Sequence, residues 1–498
     1  MAATYLGIDL GTSVTKAVVL DENGTQLAAR TRRTKLHRPA PGHFEQDPEE
    51  VLRSVADVTR AAVAAAGATP GLIGLTGQGD GVWLTDEHGH AVRRAVSWMD
   101  ARGASTLRRW RDQGVVAKVF RRTGNAIFPG SAAPILAWLE EHEPASLDRA
   151  ATAAYCKDFV MQRLSGLRAT DASDASLPFL DPVTREYDQD VLSWCGLSHR
   201  ADLLAPIAKP LPGGTLTNAA GDLLGLPAGT PISAGPFDLP ASALGAGVTA
   251  PGDGHLTVGT TLACQVVVDA VRTTGEPAGM TLATLEPDRW LRAMPATVGT
   301  AALDWVLDLV GRPVDAVEGL LSDSPPLARG VTCLPYFSPA GERAPFLEPG
   351  ARARVDGLTL NTDRADLVRA TCEAVAYAAR HCFAAAGLTG EITLGGGGTR
   401  SAAWSRIFAD VLGRPVRLAW DSEPTARGAV LAAAHAAGHR LDPIAWTAPT
   451  RVIEPDSERA ARYDDGFANF LTRVSAARAS WQETGTDHTT TRPAEGQR

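Results

Sequence analysis

The sequence predicts an α/β protein of two related domains. An apolar segment, a turn of small residues and a second apolar segment occur twice, at residues 6–20 and 255–268. The chain has 498 residues, more than a single hydrophobic core usually supports, so two domains are expected. Strand-like and helix-like segments alternate in both halves, which is typical of helices layered on a largely buried sheet.

Each repeated segment is predicted to form a β-hairpin whose turn can hold a phosphate group. The turns are Gly11-Thr12-Ser13 in the first copy and Gly259-Thr260-Thr261 in the second. Because these residues are small, backbone N–H groups and hydroxyls stay open to an anion that larger side chains would exclude. One turn in each half therefore predicts that a polyphosphate binds between the domains.

The first half continues with a series of predicted strands and helices. Asp47 followed by Pro48 is typical of an N-cap with proline at the first helical position, which predicts a helix over Pro48–Ala66. Further strands are expected at 72–76, 82–85 and 230–235, and further helices at 104–112, 134–140, 157–164 and 239–246. Gly, Pro and Asp cluster at 247–253, so we place the end of an N-terminal domain, residues 1–247, there.

The second half repeats this order of elements. After its hairpin come an irregular Pro/Gly-rich stretch at 325–350, a long helix at 364–386, a strand at 391–394 and four glycines. A helix at 402–412, a strand at 416–419 and an Ala-rich helix at 425–437 follow. The C-terminal domain is placed at 248–480, and the polar, aperiodic end at 481–498 is expected to be disordered.

Composition excludes several classes of protein. The net charge of −8 gives no support to nucleic-acid or anionic-membrane binding. The six cysteines lack C-x-x-C spacing and a nearby His cluster, so they are expected to be reduced core thiols rather than disulfides or zinc ligands. No apolar run reaches membrane-spanning length and no leader is visible, so a cytoplasmic protein is expected.

Two common phosphate-binding schemes fit poorly. No G-x-x-x-x-G-K-[ST] segment occurs, which excludes a P-loop enzyme. The glycines at 395–398 follow a predicted strand and Asp421 ends the next one, as in a dinucleotide fingerprint, but the third glycine would fall on Arg400 or Ser401. A glycine run before a helix still lets a nucleotide approach bare backbone, and the alternative is a tight strand-to-helix turn.

Five motifs occur in order along the chain. They are GIDLGTS at 7–13 with Lys16, KD…LSG…TDASDAS between 157 and 176, GTT at 259–261, GL…DLVRA…E between 357 and 373, and GGGTRS…W…AD…GA between 396 and 429. In this order they resemble the motifs of the FGGY carbohydrate kinases, of the actin, hexokinase and Hsp70 superfamily, over nearly the whole chain up to Gly438. The resemblance implies two actin-like (ribonuclease H-like) domains with a central cleft, and ATP-dependent, Mg²⁺-assisted phosphoryl transfer to a hydroxyl of a small sugar or polyol.

The resemblance also assigns residues to the donor nucleotide. The implied phosphate-binding residues are Gly11, Thr12, Ser13, Lys16, Gly259, Thr260 and Thr261, and the implied adenosine-binding residues are Gly396, Gly397, Gly398 and Ser401. Asp9 lies in the first hairpin, where a carboxylate could hold Mg²⁺ directly or through water. The alternative is that Asp9 only bonds its own turn.

Asp238 is the candidate catalytic base. Phosphoryl transfer to a hydroxyl requires an acceptor in line with the donor and a group that takes the hydroxyl proton. Asp238 ends a turn at 235–238 near the predicted domain boundary and matches the Gly-x-x-Asp of the resembling family. From the residue pattern alone it could equally be the N-cap of the following helix, and the resemblance favours catalysis.

The candidate acceptor site combines carboxylates with a tryptophan. The residues are Gln78, Asp80, Trp98 and Asp100, together with Asp238. A carboxylate accepts protons from sugar hydroxyls and an indole ring covers an apolar C–H face, a combination that suits a polyol. The alternatives are a solvated turn for Asp80, a core position for Trp98 and an exposed ion pair between Asp100 and Arg102.

The chain departs from the resembling family at two points. Ile135 stands three residues before Trp138, where the family usually has Lys. At 77–81 the sequence GQGDG replaces the Gln-Met-His-Gly of xylulose kinases and the Arg-Glu pair of glycerol kinases, and is most similar to erythritol kinases and to some L-ketopentose kinases. An erythritol-like polyol is therefore the expected acceptor, with a xylulose-type ketopentose kinase as the alternative.

Two alternatives belong to other classes. They are a superfamily ATPase without a small acceptor and a catalytically inactive sugar-binding protein; Asp238 and the polar turn at 78–80 argue against both. No nucleic-acid or membrane partner is expected. The oligomeric state is left open, a homodimer included.

Overall fold

The structure is a computed structural model that describes residues 3–418, 423–447 and 451–484. In the N-terminal half the strands are β1 (Tyr5–Leu10), β2 (Val14–Leu20), β3 (Gln26–Arg33), β4 (Glu45–Gln46), β5 (Leu72–Gly77), β6 (Trp83–Thr85), β7 (Ala95–Val96), β8 (Thr152–Ala154), β9 (Gly213–Thr215) and β10 (Pro231–Ala234). The helices are α1 (Pro48–Ala66), α2 (Ala104–Asp112), α3 (Val115–Thr123), α4 (Ala132–His142), α5 (Pro144–Asp148), α6 (Cys156–Ser165), α7 (Ala172–Ala175), α8 (Gln189–Trp194), α9 (Asn218–Leu224) and α10 (Asp238–Gly245).

The C-terminal half follows the same plan. Its strands are β11 (Gly254–Val258), β12 (Leu262–Val268), β13 (Met280–Ala283), β14 (Trp290–Ala296), β15 (Thr332–Leu334), β16 (Arg354–Asp356), β17 (Ile392–Gly395), β18 (Val416–Leu418) and β19 (Arg451–Ile453). Its helices are α11 (Thr300–Leu309), α12 (Val317–Asp323), α13 (Arg364–Ala386), α14 (Ala402–Leu412), α15 (Pro424–Ala436), α16 (Pro443–Trp446) and α17 (Ser457–Thr484).

Each half forms one large sheet, and the central strands of the two sheets are arranged in the same way. The first runs β3-β2-β1-β5-β10-β9 and the second β13-β14-β12-β11-β17-β18-β19. In both, an antiparallel hairpin pairs through its first strand with a parallel strand, β1 with β5 and β11 with β17. The internal repeat predicted from the sequence is therefore a structural repeat, and the two-domain actin-like fold is confirmed.

Several local predictions are confirmed because short-range signals determine them. The helices at 48–66, 104–112, 364–386 and 402–412 have the predicted bounds. Asp47 caps α1, since its Oδ1 accepts a hydrogen bond from the Glu49 backbone N–H at 2.9 Å. The six cysteines are free and buried, as expected. None of the helices in the described ranges has the length and apolarity needed to cross a bilayer.

Some sequence predictions fall at or beyond the limits of the description. Asp421, the end of the strand predicted at 416–419 and most of the tail predicted at 481–498 lie outside the described residues. Helix α17 continues to Thr484, within the first part of that predicted tail.

Helix α15 belongs to the second half of the chain but packs on the sheet of the first half. A Cβ at Gly74 in β5 would lie 2.3 Å from the carbonyl oxygen of Ala429, and one at Gly7 in β1 would lie 2.3 Å from that of Ala426. Val430 and Leu431 of the same helix are buried in a cluster with Val18. The halves are therefore joined by a close backbone-to-backbone contact.

Helices α10 and α15 also approach each other through glycine. A Cβ at Gly428 would lie 1.8 Å from the carbonyl oxygen of Ala241, closer than any real contact, so Gly428→Ala must push the helices apart. We expect this change to lower the free energy of unfolding by about 1–3 kcal/mol. The measurement is urea denaturation followed by circular dichroism.

Gly319 in α12 offers a matched control for this prediction. It is exposed, and no atom lies within 4 Å of an added Cβ. Gly319→Ala is therefore expected to raise the free energy of unfolding by about 0.4–1 kcal/mol, since alanine restricts the unfolded chain. Equal stability of Gly428→Ala and the unchanged protein would show that the helices can separate without loss.

Candidate active site

The first phosphate turn is held in shape by buried polar side chains. The Gly11 N–H donates to the Val14 carbonyl at 3.1 Å, which closes the turn between β1 and β2. The Thr12 hydroxyl donates to Gln78 Oε1 at 2.9 Å and accepts from Trp98 Nε1 at 2.8 Å. Because the only proton of this hydroxyl is donated to Gln78, backbone N–H groups and the exposed Ser13 are the donors of this turn left for a phosphate.

The second phosphate turn rests on the start of α11. The Thr260 carbonyl accepts from the Gly299 N–H at 2.9 Å, and the Gly259 carbonyl accepts from the Thr300 N–H at 2.6 Å. A Cβ at Gly299 would lie 2.4 Å from the Gly259 oxygen, so only glycine allows this approach. Thr260 and Thr261 remain exposed.

The glycine run lies directly beside the second phosphate turn. Gly396 has a φ of +91°, and its Cβ would lie 2.6 Å from the carbonyl oxygen of Val258, the residue before Gly259. Among the described residues, no atom lies within 4 Å of a Cβ added at Gly397, so none of them covers this face, and Gly398 packs on the Val258 side chain. The Ser401 hydroxyl accepts from the Trp404 N–H at 3.0 Å and so caps α14, while its proton stays available.

A dinucleotide fingerprint is not formed here. A 3₁₀ turn, Gly397–Arg400, separates β17 from α14, whereas that fingerprint opens its helix directly at the glycine turn. The dinucleotide interpretation is therefore wrong, and the run is compatible with a nucleotide that lies across open backbone next to Gly259.

Asp9 presents an unsatisfied carboxylate oxygen beside the first turn. Its Oδ1 is buried and has no hydrogen-bond partner among the described residues, so this oxygen does not bond the turn. Burial raises the pKa of Asp9 to about 6; Lys16 opposes this rise and Glu423 adds to it. An unpartnered carboxylate oxygen fits Mg²⁺, which prefers hard oxygen ligands and keeps several waters.

Lys16 is engaged elsewhere. It sits opposite Asp9 in the β1–β2 pair, and its ammonium forms an ion pair with Glu423, the residue before α15. The positive charge is thus compensated across the two halves of the chain. This arrangement does not support the prediction that Lys16 binds phosphate.

Asp238 lies at the first turn of α10 and is half-buried. Phe237, not Asp238, occupies the N-cap position, so the N-cap alternative for Asp238 is wrong. Burial raises the pKa of Asp238 to about 7, with a further contribution from the charge of Asp9. A carboxyl that titrates near neutrality is suited to take a proton from a hydroxyl.

A buried charge cluster supports the turn that carries Asp238. Lys157 Nζ lies 2.7 Å from Asp158 Oδ1, 2.8 Å from Asp171 Oδ1 and 2.9 Å from Asp174 Oδ2. We call these four residues the Lys157 cluster.

Two contacts join this cluster to the Asp238 turn. The Phe237 N–H donates to Ser173 Oγ at 3.1 Å, and a Cβ at Gly235 would lie 3.1 Å from the Asp171 carboxyl carbon. The motif TDASDAS, whose segment contributes both Ser173 and Asp171, therefore acts on the site through the backbone before Asp238.

Asp80 lies in a strained turn that presses against the Asp238 turn. Its φ is +58°, uncommon for a residue other than glycine, and strain of this kind is concentrated at functional sites. A Cβ at the preceding Gly79 would lie 2.6 Å from the Phe237 ring. Asp80 is only 3% exposed, so the solvated-turn alternative is wrong.

Groups from both halves of the chain shift the pKa of Asp80. Burial raises the pKa of Asp80 to about 8; the Ala132 N–H and Arg343 oppose this rise, and Asp238 adds to it. Among the described residues, the carboxylate accepts one hydrogen bond, from the Ala132 N–H to Oδ1 at 3.3 Å. Oδ2 therefore remains for an acceptor hydroxyl.

Two of the predicted acceptor residues are occupied by the protein itself. Gln78 uses its amide in the turn: Oε1 accepts from Thr12, and Nε2 donates to Gln46 Oε1 at 2.7 Å. Asp100 Oδ1 accepts from Arg102 Nε at 2.8 Å, and Oδ2 accepts from the Phe44 N–H at 2.6 Å. These bonds do not support the prediction that Gln78 and Asp100 bind the acceptor. The Asp100–Arg102 pair is buried, so its interpretation as an exposed pair is wrong.

Trp98 is half-buried, so it is not a core residue. The Arg343 guanidinium carbon lies 5.3 Å from the Trp98 ring centroid and 5.5 Å from that of Phe128. Trp98 and Phe128 come from the first half of the chain and Arg343 from the second. The sequence pattern of the irregular stretch at 325–350 does not indicate that Arg343 belongs to the site, because its partners are about 200 residues or more away in sequence.

These groups together define a phosphotransferase of the actin-like fold. The first phosphate turn bonds to Trp98, Arg343 of the second half packs on Trp98, and an unpartnered Asp9 oxygen lies beside that turn. Asp9 acts on the charge of Asp238, and Asp238 on that of Asp80, so these carboxyl groups lie near one another. Residues 4–245 match the N-terminal domain of the FGGY family of carbohydrate kinases, and residues 253–437 match its C-terminal domain. The chain therefore belongs to the FGGY family of carbohydrate kinases, phosphotransferases that act on an alcohol group and typically use ATP and Mg²⁺.

Individual relatives agree with this assignment. The chain is 33% identical to the erythritol kinase of Brucella abortus over 96% of its own length and 97% of the relative. It is 31% identical to the xylulose kinase of Escherichia coli over 92% and 96% of the two chains. The crystal structure of xylulose kinase from Rhodospirillum rubrum superposes with a TM-score of 0.87 at 30% identity, covering 96% of this chain and 100% of that one.

Proposed function

We propose that this chain is an ATP-dependent kinase of a small neutral polyol of the erythritol type. The observation that carries the proposal is the group of carboxyls at the acceptor pocket. Asp238 lies close enough to Asp80, and Asp9 to Asp238, for the charge of one to act on the next, and Arg343 acts on Asp80 from the second half of the chain. An excess of carboxylates suits hydroxyl donors and disfavours an anionic acceptor such as a sugar acid.

The mechanism follows from the positions of these residues. The Asp238 carboxylate takes the proton of the acceptor hydroxyl, whose oxygen forms a bond to the γ-phosphorus as the bond to the ADP oxygen breaks. The two phosphate turns hold the triphosphate from opposite sides, which aligns the donor and excludes water. Mg²⁺, when bound through Asp9, neutralises charge on the phosphates.

The choice of acceptor has two sources of support. The erythritol kinase of Brucella abortus is 33% identical to this chain, and Asp80 of the GQGDG turn has an oxygen, Oδ2, without a partner among the described residues, which supports a role in binding an acceptor hydroxyl. A xylulose-type ketopentose kinase is the second candidate, favoured by the 31% identity to the Escherichia coli xylulose kinase. The pocket chemistry is compatible with both, since each acceptor is a neutral chain of hydroxyls.

A coupled ADP-release assay across polyols and ketoses of four to six carbons tests the proposal. Erythritol is expected to give the highest kcat/KM, with D-xylulose as the leading ketose. A higher kcat/KM for a ketopentose would transfer the assignment to the second candidate. ATP turnover of equal rate without any acceptor would contradict the kinase proposal.

The raised pKa of Asp238 predicts an acidic limb in the pH profile. The base must be ionised to accept a proton, and its pKa of about 7 lies well above the ordinary value. The kcat/KM for the acceptor should therefore fall about tenfold per pH unit below neutrality and level off above it. The measurement is kcat/KM from pH 5 to 9 at saturating ATP. A flat profile down to pH 5 would mean that burial does not raise this pKa.

A further inference from the structure

Arg343 reaches the acceptor pocket from the opposite half of the chain. Its guanidinium lies over the rings of Trp98 and Phe128, at the cation–π distances given above. Trp98 in turn donates to the Thr12 hydroxyl of the first phosphate turn. Arg343 is therefore next to the acceptor pocket, while its backbone belongs to the half that carries the glycine run.

The loop around Arg343 is held by several hydrogen bonds. Glu342 and Glu348 exchange backbone hydrogen bonds at 3.0 and 2.8 Å, which closes the loop between them. Glu342 Oε1 accepts from the Thr297 N–H at 2.9 Å, from the Thr297 hydroxyl at 2.9 Å and from the Arg343 N–H at 2.8 Å. Arg343 Nε donates to the Pro295 carbonyl at 2.9 Å. The side chain is thus fixed at both its backbone and its Nε.

The outer end of this guanidinium has no protein partner. Within the described ranges, Nε is the side-chain atom of Arg343 that forms a hydrogen bond, and Nη1 and Nη2 form none. Asp80 lies close enough for each charge to act on the other, but the two form no ion pair in the described part of the chain. Asp80 Oδ2 is likewise without a partner among these residues. The outer nitrogens of Arg343 and Oδ2 of Asp80 are therefore both available to a ligand.

We propose that Arg343 is a specificity-determining residue that, with Asp80, binds one hydroxyl of the acceptor other than the hydroxyl that is phosphorylated. A hydroxyl suits the space between them because it donates its proton to Asp80 and accepts from a guanidinium N–H. The contact joins both halves of the chain through the acceptor. This inference rests on the proposed function and identifies a second hydroxyl as the part of the acceptor that the site recognises.

The consequence for substrate choice is a strong preference for acceptors with this hydroxyl. An analogue that lacks it leaves both polar groups without a partner, and sites built to bind a hydroxyl reject such analogues far more strongly than apolar pockets reject a missing methylene. Either a polyol or a ketose can supply the hydroxyl. Recognition at Arg343 is thus independent of which of the two is the better acceptor.

The test compares Arg343→Met with Arg343→Lys and Arg352→Met. Arg352 is a matched control, since it is an exposed arginine in the neighbouring part of the chain. Arg343→Met is expected to lower kcat/KM for the best acceptor by about ten- to a hundredfold, the range for a charged hydrogen bond. Arg343→Lys should recover part of this loss, Arg352→Met should change nothing, and KM for ATP should stay the same in all three.

Mono-deoxy analogues of the best acceptor distinguish binding from a structural role. The unchanged enzyme should discriminate against one of them by about ten- to a hundredfold, and Arg343→Met should lose that discrimination. If the variant keeps the discrimination, or keeps the kcat/KM of the unchanged enzyme, this inference is wrong and the kinase assignment stands. If the unchanged enzyme phosphorylates no neutral polyol or ketose, the proposed function is wrong and this inference is overturned with it. If Arg343→Met fails to fold, the discrimination of Arg343→Lys among the mono-deoxy analogues tests the inference instead.

Discussion

Asp238→Asn is expected to lower kcat by about 10²–10⁴-fold, because a positioned base contributes a factor of this size. Asparagine has nearly the same shape but cannot take the acceptor proton at neutral pH. Neither phosphate turn contains Asp238, so ATP binding should persist. The measurements are kcat from the ADP-release assay and the ATP dissociation constant from calorimetry.

Asp190→Asn provides the matched control. Asp190 is an exposed aspartate in the first turn of the short helix α8, as Asp238 is in the first turn of α10. This control should retain the kcat of the unchanged enzyme. Near-normal kcat for Asp238→Asn would remove Asp238 as the base and leave Asp80 as the remaining carboxyl of the acceptor pocket.

Lys157→Met is expected to give the largest loss of stability. Lys157 is fully buried among Asp158, Asp171 and Asp174, and its removal leaves their charges without a counter-ion. Removing one partner of a buried ion pair costs about 3–5 kcal/mol. The measurement is the free energy of unfolding in urea at pH 8, with the exposed Lys118→Met of α3 as the control that should change little.

The pH dependence of this loss identifies its cause. Burial raises the pKa of Asp158 and Asp174 even with Lys157 present, and removal of the ammonium raises them further. A carboxyl with a raised folded-state pKa binds more protons in the folded than in the unfolded protein, so stability falls as pH rises above about 4. The deficit of Lys157→Met should therefore be smaller at pH 5 than at pH 8. A deficit independent of pH would indicate a packing defect instead of uncompensated charge.

The parts of this molecule that sequence predicts are those fixed by neighbouring residues. The hairpin turns at Gly11 and Gly259 follow from small residues between two apolar segments. The cap of α1 follows from Asp47 and Pro48. In each case the interacting atoms are a few residues apart, so the local pattern contains the whole interaction.

The sequence does not show which polar side chains are already hydrogen-bonded or ion-paired within the protein, because their partners are distant in the chain. Gln78 is occupied by Thr12 and Gln46, and Lys16 is paired with Glu423, some 400 residues further along the chain. A sequence pattern shows that a polar residue is present but not whether a distant partner already uses it. Arg343 is the converse case, because its free donors become apparent only when its loop is placed over Trp98.

The position of α15 bears on how the chain folds during synthesis. The face of β1 and β5 that carries Gly7 and Gly74 is covered by a helix that ends at Ala436. An N-terminal segment emerging from the ribosome has no such cover and must keep an apolar sheet face exposed until most of the protein has been translated. Because α15 lies near the end of the second half, the sheet of the first half reaches its final packing only after that helix has been synthesised.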